Sequence, residues 1–115
     1  MSLGWEDAVA YALTLPDTVL ASHYGVAAVK VAGNGRAFLS RGHEAHESFC
    51  VQMDRETIAM LIATDPATFY QTPHYAGWDA VLVRYATDDP ERVRGVIAQA
   101  HERAAAKKPV RSRKA

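Results

Sequence analysis

The apolar positions switch between helical and alternating spacing along the chain, and each switch marks an element. Trp5, Val9, Ala12 and Leu13 recur at helical spacing, which predicts an amphipathic first helix of about ten residues. Leu15-Pro16-Asp17 ends it, because the residue ahead of a proline is pushed out of the α region. Three short segments rich in β-branched or aromatic residues follow: "VLASHY" from Val19, "AAVKVAG" from Ala27 and "RAFLSR" from Arg36. Asn34-Gly35 joins the last two. This pair tolerates the positive φ angles of a type I′ turn and so predicts a hairpin. "ESFCVQM", from Glu47, reads as another strand, and Asp54 is placed to cap a helix carrying Ile58, Leu61 and Ile62 that ends near Thr64-Asp65-Pro66. "WDAVLVRYA", from Trp78, is the last strand, its unbroken apolar middle predicting burial. Asp88 or Asp89 then caps a helix with Pro90 in its first turn and Val93, Val96, Ile97, Ala100 and Ala104 on one face. The chain organises as helix, strands, helix, strand, helix, in the order α-β-β-β-β-α-β-α.

A chain of 115 residues, 49% of them apolar, suffices for one domain that buries roughly 65% of its unfolded surface. The expected division is residues 1–106 as the domain and 107–115 as a tail. No apolar run approaches the ~20 residues of a membrane span. The opening "MSLGWEDAVAYAL" carries acidic residues where a secretory signal would carry basic ones, so the cytoplasm is the expected compartment. Cys50 is the single cysteine. Lying between Phe49 and Val51, it reads as a core filler and not as a nucleophile.

The net charge of zero conceals a split. Lys107, Lys108, Arg111, Arg113 and Lys114 leave the preceding residues with eight basic side chains against thirteen acidic ones, a net of −5. A basic tail attracts polyanions by counterion release, although solubilising tails share that composition.

"RGHEAHESF", residues 41 to 49, packs two histidines and two glutamates into a few positions. It lies between two strands and reads as a solvated hairpin loop. His43 and His46 are three residues apart with no helical pattern around them, unlike the four-residue helical spacing of a metalloprotease signature, so no metal site is expected. His23, His74 and His101 could face one pocket, but hydrogen-bonded structural roles are the preferred reading. No nucleophile elbow, phosphate loop or fixed pair of acids is present. The chain reads as non-enzymatic, with no cofactor implied.

The series "ALTLPDTVLASHYGVAAVKVAGNGRAFL", then a strand and the helix-bearing "DRETIAMLIATDPATFYQTPHYAGWDAVLVRY", then a capped last helix, resembles the MmcQ/YjbR family of small bacterial proteins from about residue 7 to residue 104. The pieces that carry the resemblance are the "LP" after the first helix, "SHYG", "DPATFYQTPHY" and Trp78. None of them is a catalytic signature. The resemblance implies an α+β fold similar to the bacterial frataxin CyaY, an antiparallel β-sheet backed by helices. Family members are often labelled DNA-binding, with two hairpins acting as wings against the duplex. On this sequence the wings would fall on the Asn34-Gly35 hairpin, flanked by Lys30 and Arg36, and on the loop after Arg41. There Glu44 and Glu47 oppose phosphate, offset only if His43 and His46 are protonated. The frataxin likeness suggests iron, but the first helix offers only Glu6 and Asp7 for an acidic ridge, so iron delivery is not expected.

Two functions follow as expectations. One is weak, non-specific contact of a monomer with double-stranded DNA through Lys30, Arg36, Arg41 and Arg84 near the sheet, joined by Lys107, Lys108, Arg111, Arg113 and Lys114 of the tail. The other is a protein- or small-ligand-binding module built on His23, Tyr24, His74, Tyr75 and Trp78, because aromatic residues with a polar tip favour contact surfaces and pocket mouths. For Trp78 the competing expectation is a place in the core, given the apolar strand it opens.

Overall fold

The computed structural model of the chain describes residues 2–23, 25–41 and 47–110. Tyr24, His43, Glu44, His46, Arg111, Arg113 and Lys114, all named above, lie outside the described residues.

The elements run in the expected order: α1 (Trp5–Ala12), β1 (Thr18–His23), β2 (Val26–Val31), β3 (Ala37–Ser40), β4 (Ser48–Gln52), α2 (Arg55–Thr64), then a two-residue strand β5 (Phe69–Tyr70), β6 (Ala80–Arg84) and α3 (Pro90–Ala105). The strands form one antiparallel sheet in the order β1-β2-β3-β4-β6-β5. Among the described residues this is an α+β fold with three helices and six strands.

Alternation assigns the two sheet faces. Val29, Val31, Phe49, Val51, Val81 and Val83 share one core with Ala8 and Ala12 of α1, Ile58 and Leu61 of α2, and the apolar stripe of α3. All three helices therefore cover that face, and each large aliphatic side chain buried there contributes about 1.5–3 kcal/mol. The register slips between Val29, opposite Leu39, and Lys30, opposite Ala37. Phe38 is the extra residue of this bulge, which lets consecutive Phe38 and Leu39 both enter the main core. On the other face Cys50, Ala80 and Leu82 form a smaller cluster against Tyr70 and Tyr75.

The caps follow the sequence. Asp54 accepts a hydrogen bond from the Thr57 backbone N–H at 2.9 Å, and Asp89 accepts one from Arg92 at 3.1 Å, with Pro90 in the first turn of α3.

Two local expectations are corrected. The link between β2 and β3 is not a type I′ turn. Of Asn34 and Gly35 only Gly35 has positive φ, at 73°, and the loop closes through Gly35 N–H to Val31 O at 2.8 Å and Val31 N–H to Arg36 O at 2.9 Å. β2 ends at Val31 and β3 begins at Ala37, so the link is longer than the two-residue loop that a type I′ turn closes. Trp78 neither opens β6, which starts at Ala80, nor enters the core; it is 67% exposed. Gly77, at φ 87°, turns the chain there, so that only the residues beyond Asp79 alternate in the sheet.

Candidate anion-binding groove

The tip of the β2–β3 hairpin is a docking point for the end of the chain. Asn34 Nδ2 donates to Ala104 O at 2.8 Å and to Lys107 O at 3.1 Å. Its backbone carbonyl accepts from Val110 N–H at 2.8 Å, and its Oδ1 accepts from Arg36 N–H at 3.0 Å. Arg36 Nε donates to Lys108 O at 2.8 Å. Residues 107–110 thus form a strap that crosses the hairpin tip and fixes it against the C-terminal end of α3. The end of a helix exposes carbonyls without i+4 donors; Ala104 O accepts from Lys107 N–H at 3.1 Å and from Asn34 as a second donor from another element.

This arrangement collects positive charge. A groove of about 310 Å³ opens between hairpin, sheet and strap, lined by His23, Lys30, Arg36, Gln52, Arg103 and Lys107 among others. Lys30 stands on β2 at the bulge, Arg36 on the loop, Arg103 in the last turn of α3, and Lys107 on the strap. Arg103 Nη2 pairs with Asp79 Oδ2 at 3.1 Å. Among the described residues no ion pair neutralises Lys30, Arg36 or Lys107. Partial burial, reinforced by the neighbouring charges of Arg103 and Arg36 and opposed by Asp79, holds the Lys107 ammonium below the usual lysine range. Like charges crowded in this way favour an anion between them.

A second groove, of about 530 Å³, lies between α2 and the loop ahead of β6, with Ile58, Ala59, Ile62 and Ala63 on one wall and Trp78 on the other. Arg55 is at its edge and forms a long pair with Asp79, Nε to Oδ1 at 3.7 Å. The carboxylate of Asp79 therefore sits between Arg103 of the basic groove and Arg55 of the apolar one.

The basic residues read from the sequence divide into two sets. Lys30, Arg36 and Lys107 converge, and Lys108 contributes its carbonyl to the strap. Arg41 and Arg84 stand at the opposite end of the sheet, beyond β3 and at the end of β6, which both run away from the strap. Arg84 stacks 3.9 Å from the Tyr70 ring centroid and donates to Pro66 O and Ala67 O, both at 3.3 Å; it props the β5 link. Arg103 was missed. As one arginine among the charges of α3 it carried no mark, since only the fold brings the last turn of α3 beside β2.

The described residues of the aromatic set do not share a pocket. His23 lines the basic groove, exposed His74 meets the Tyr75 ring edge-on at 5.1 Å, Tyr75 packs on the smaller cluster, and Trp78 borders the apolar groove. His101 has a structural place, its Nε2 2.8 Å from Pro16 O and its ring edge-on to Phe38. Cys50 is buried, and its thiol is pushed up to about 11 by burial, only partly offset by a hydrogen bond with Ser40. No group of three or more histidines, cysteines and acids among the described residues could hold a metal ion, and no helix among them is long and apolar enough to cross a membrane.

Compared with protein-family models, curated proteins and solved structures, the chain matches none.

Proposed function

We propose that the chain binds the phosphate backbone of nucleic acid, weakly and without base-sequence preference, in the groove lined by Lys30, Arg36, Arg103 and Lys107. The observation that carries this reading is their convergence around one concavity in a body whose overall charge is negative. Segregated in this way, the positive groups attract a polyanion that the average charge would repel. The groove offers ammonium and guanidinium donors to phosphate oxygens, contacts that fix register and orientation and carry no sequence information. Arg111, Arg113 and Lys114 continue the chain from the strap and add to its positive charge. The MmcQ/YjbR resemblance supplies the same expectation, with the difference that the contact surface proposed here is the strapped hairpin with α3 and not a pair of free wings. The protein- or ligand-binding alternative has less to rest on, because its described aromatic and histidine residues face different surroundings.

Fluorescence anisotropy of labelled DNA across a salt series tests this. Four phosphate contacts give a slope of log K against log salt of about −3 to −4. Lys30→Gln and Lys107→Gln should each flatten the slope by about one. Binding with no salt dependence, or with a slope that neither substitution changes, would sink the proposal.

A further inference from the structure

Trp78 is the largest exposed side chain of the described residues, and its position is fixed by contacts that do not involve its ring. Gln71 Nε2 reaches three carbonyls, that of Ala80 at the start of β6 at 2.8 Å and those of Tyr75 at 3.3 Å and Trp78 at 3.4 Å in the loop. Trp78 N–H donates to Tyr75 O at 2.9 Å. Arg55 donates to Gly77 O, and a Cβ at Gly77 would lie 3.3 Å from that guanidinium. A loop so fully hydrogen-bonded holds an indole face in water instead of folding it away.

Asp79 follows Trp78 in the chain, and its carboxylate touches both Arg103 and Arg55. The rim of the basic groove and the rim of the Trp78 groove are therefore adjacent. An indole beside a track of cationic donors is the combination used to hold single strands, where phosphates follow the charge and a base stacks on the ring. A duplex keeps its bases paired inside and cannot use the ring.

We propose that the ligand is single-stranded nucleic acid, with a base stacked on Trp78 and its neighbouring phosphates in the Lys30–Arg36–Arg103–Lys107 groove. This rests on the proposed function and narrows it.

The test compares a labelled twelve-nucleotide oligothymidine, the same length of duplex, and an abasic strand of equal charge, titrated at low salt with the full chain and with Trp78→Ala and Trp78→Phe. Circular dichroism checks that the variants fold. A Trp5→Phe background leaves Trp78 as the only tryptophan. The expected result is tighter binding of the single strand than of the duplex, about tenfold or greater loss with Trp78→Ala, partial retention with Trp78→Phe, and no effect of either substitution on the abasic strand. Trp78 emission should be quenched by the oligothymidine and not by the abasic strand. Equal binding of strand and duplex, unaffected by Trp78→Ala, would overturn the inference and leave the phosphate groove standing. No binding of any probe would overturn both.

Discussion

Asn34, at the tip of the β2–β3 hairpin, holds the carbonyl of Ala104, seventy positions further along the chain, at 2.8 Å. The same side chain orders the loop that carries Arg36, through its Oδ1. One amide thus closes the fold and shapes the groove.

Asn34→Ala should therefore destabilise the domain by about 1–3 kcal/mol, since it removes two donors from backbone carbonyls and the acceptor for Arg36 N–H. A lower midpoint in urea checks this. Native hydrogen exchange should show Val110 losing its protection while β4 and β6 keep theirs.

Deleting residues 107–115 should act on the fold as well as on charge. Arg36 loses the Lys108 carbonyl and Asn34 loses Lys107 O and Val110 N–H, a cost of about 1–2 kcal/mol. Substituting Lys107 and Lys108 by serine, which keeps the carbonyls that Asn34 and Arg36 hold, should leave the urea midpoint within about 0.5 kcal/mol of wild type. That comparison separates the backbone bonds of the strap from its charges.

Lys107→Gln should leave stability within about 0.5 kcal/mol or raise it slightly, because it removes an ammonium that burial, Arg103 and Arg36 all disfavour. It should at the same time weaken DNA binding. An anion in the groove favours charged Lys107, so binding raises the depressed pKa, and affinity falls as pH rises through the free protein's value. Heteronuclear NMR of the Lys107 side chain with and without oligonucleotide reads this shift; a downward movement would refute it.

Burial keeps the Cys50 thiol protonated well above the ordinary thiol range, its pKa pushed up to about 11 from an ordinary 9.0. The folded state thus binds the proton more tightly than the unfolded one. The stability this represents is fully present below about pH 9 and is lost between pH 9 and 11, amounting to about 3 kcal/mol. A Cys50→Ala variant should lack that part of the alkaline decline. In the native protein at pH 8, Cys50 should react with a thiol reagent only as fast as the fold opens.

Asp54→Ala should cost about 1 kcal/mol, because the carboxylate accepts both the Thr57 N–H and the Thr57 hydroxyl. Those bonds, the backbone one first, hold the Asp54 carboxyl below its ordinary value. Its contribution is present above the unfolded pKa and disappears as pH falls through the folded one, so wild type and variant should converge in stability in acid.

The elements that could be read from the sequence were those with local causes. Asp54, Asp89 and Pro90 start helices through bonds made within a turn, and the stripe from Val93 to Ala104 has the period of a buried helix face. The short β5 was not legible, as two residues cannot show an alternation. The Asn34-Gly35 turn was read as a hairpin but given the wrong geometry, because β2 ends at Val31 and β3 begins at Ala37, a longer loop than the pair alone announces. Trp78 looked like core on the strength of the valines and leucine behind it; the loop that turns it outward is held by Gln71, whose three acceptors are known only once the chain is folded. The groove was half visible. Lys30 and Arg36 share a hairpin, which spacing reveals, whereas Arg103 and Lys107 reach it through tertiary contact.

The strap also sets when the groove comes into being. One wall comes from β2 and the hairpin loop, the other from the last turn of α3 and the residues up to Val110. During synthesis the hairpin emerges with Lys30 and Arg36 about seventy codons before Arg103 and Lys107 exist. A nascent chain can pair β1, β2 and β3, but it has no groove until α3 has left the ribosome and docked. The cationic side chains of the two walls are therefore brought together only after the domain has closed, as the last event of its folding.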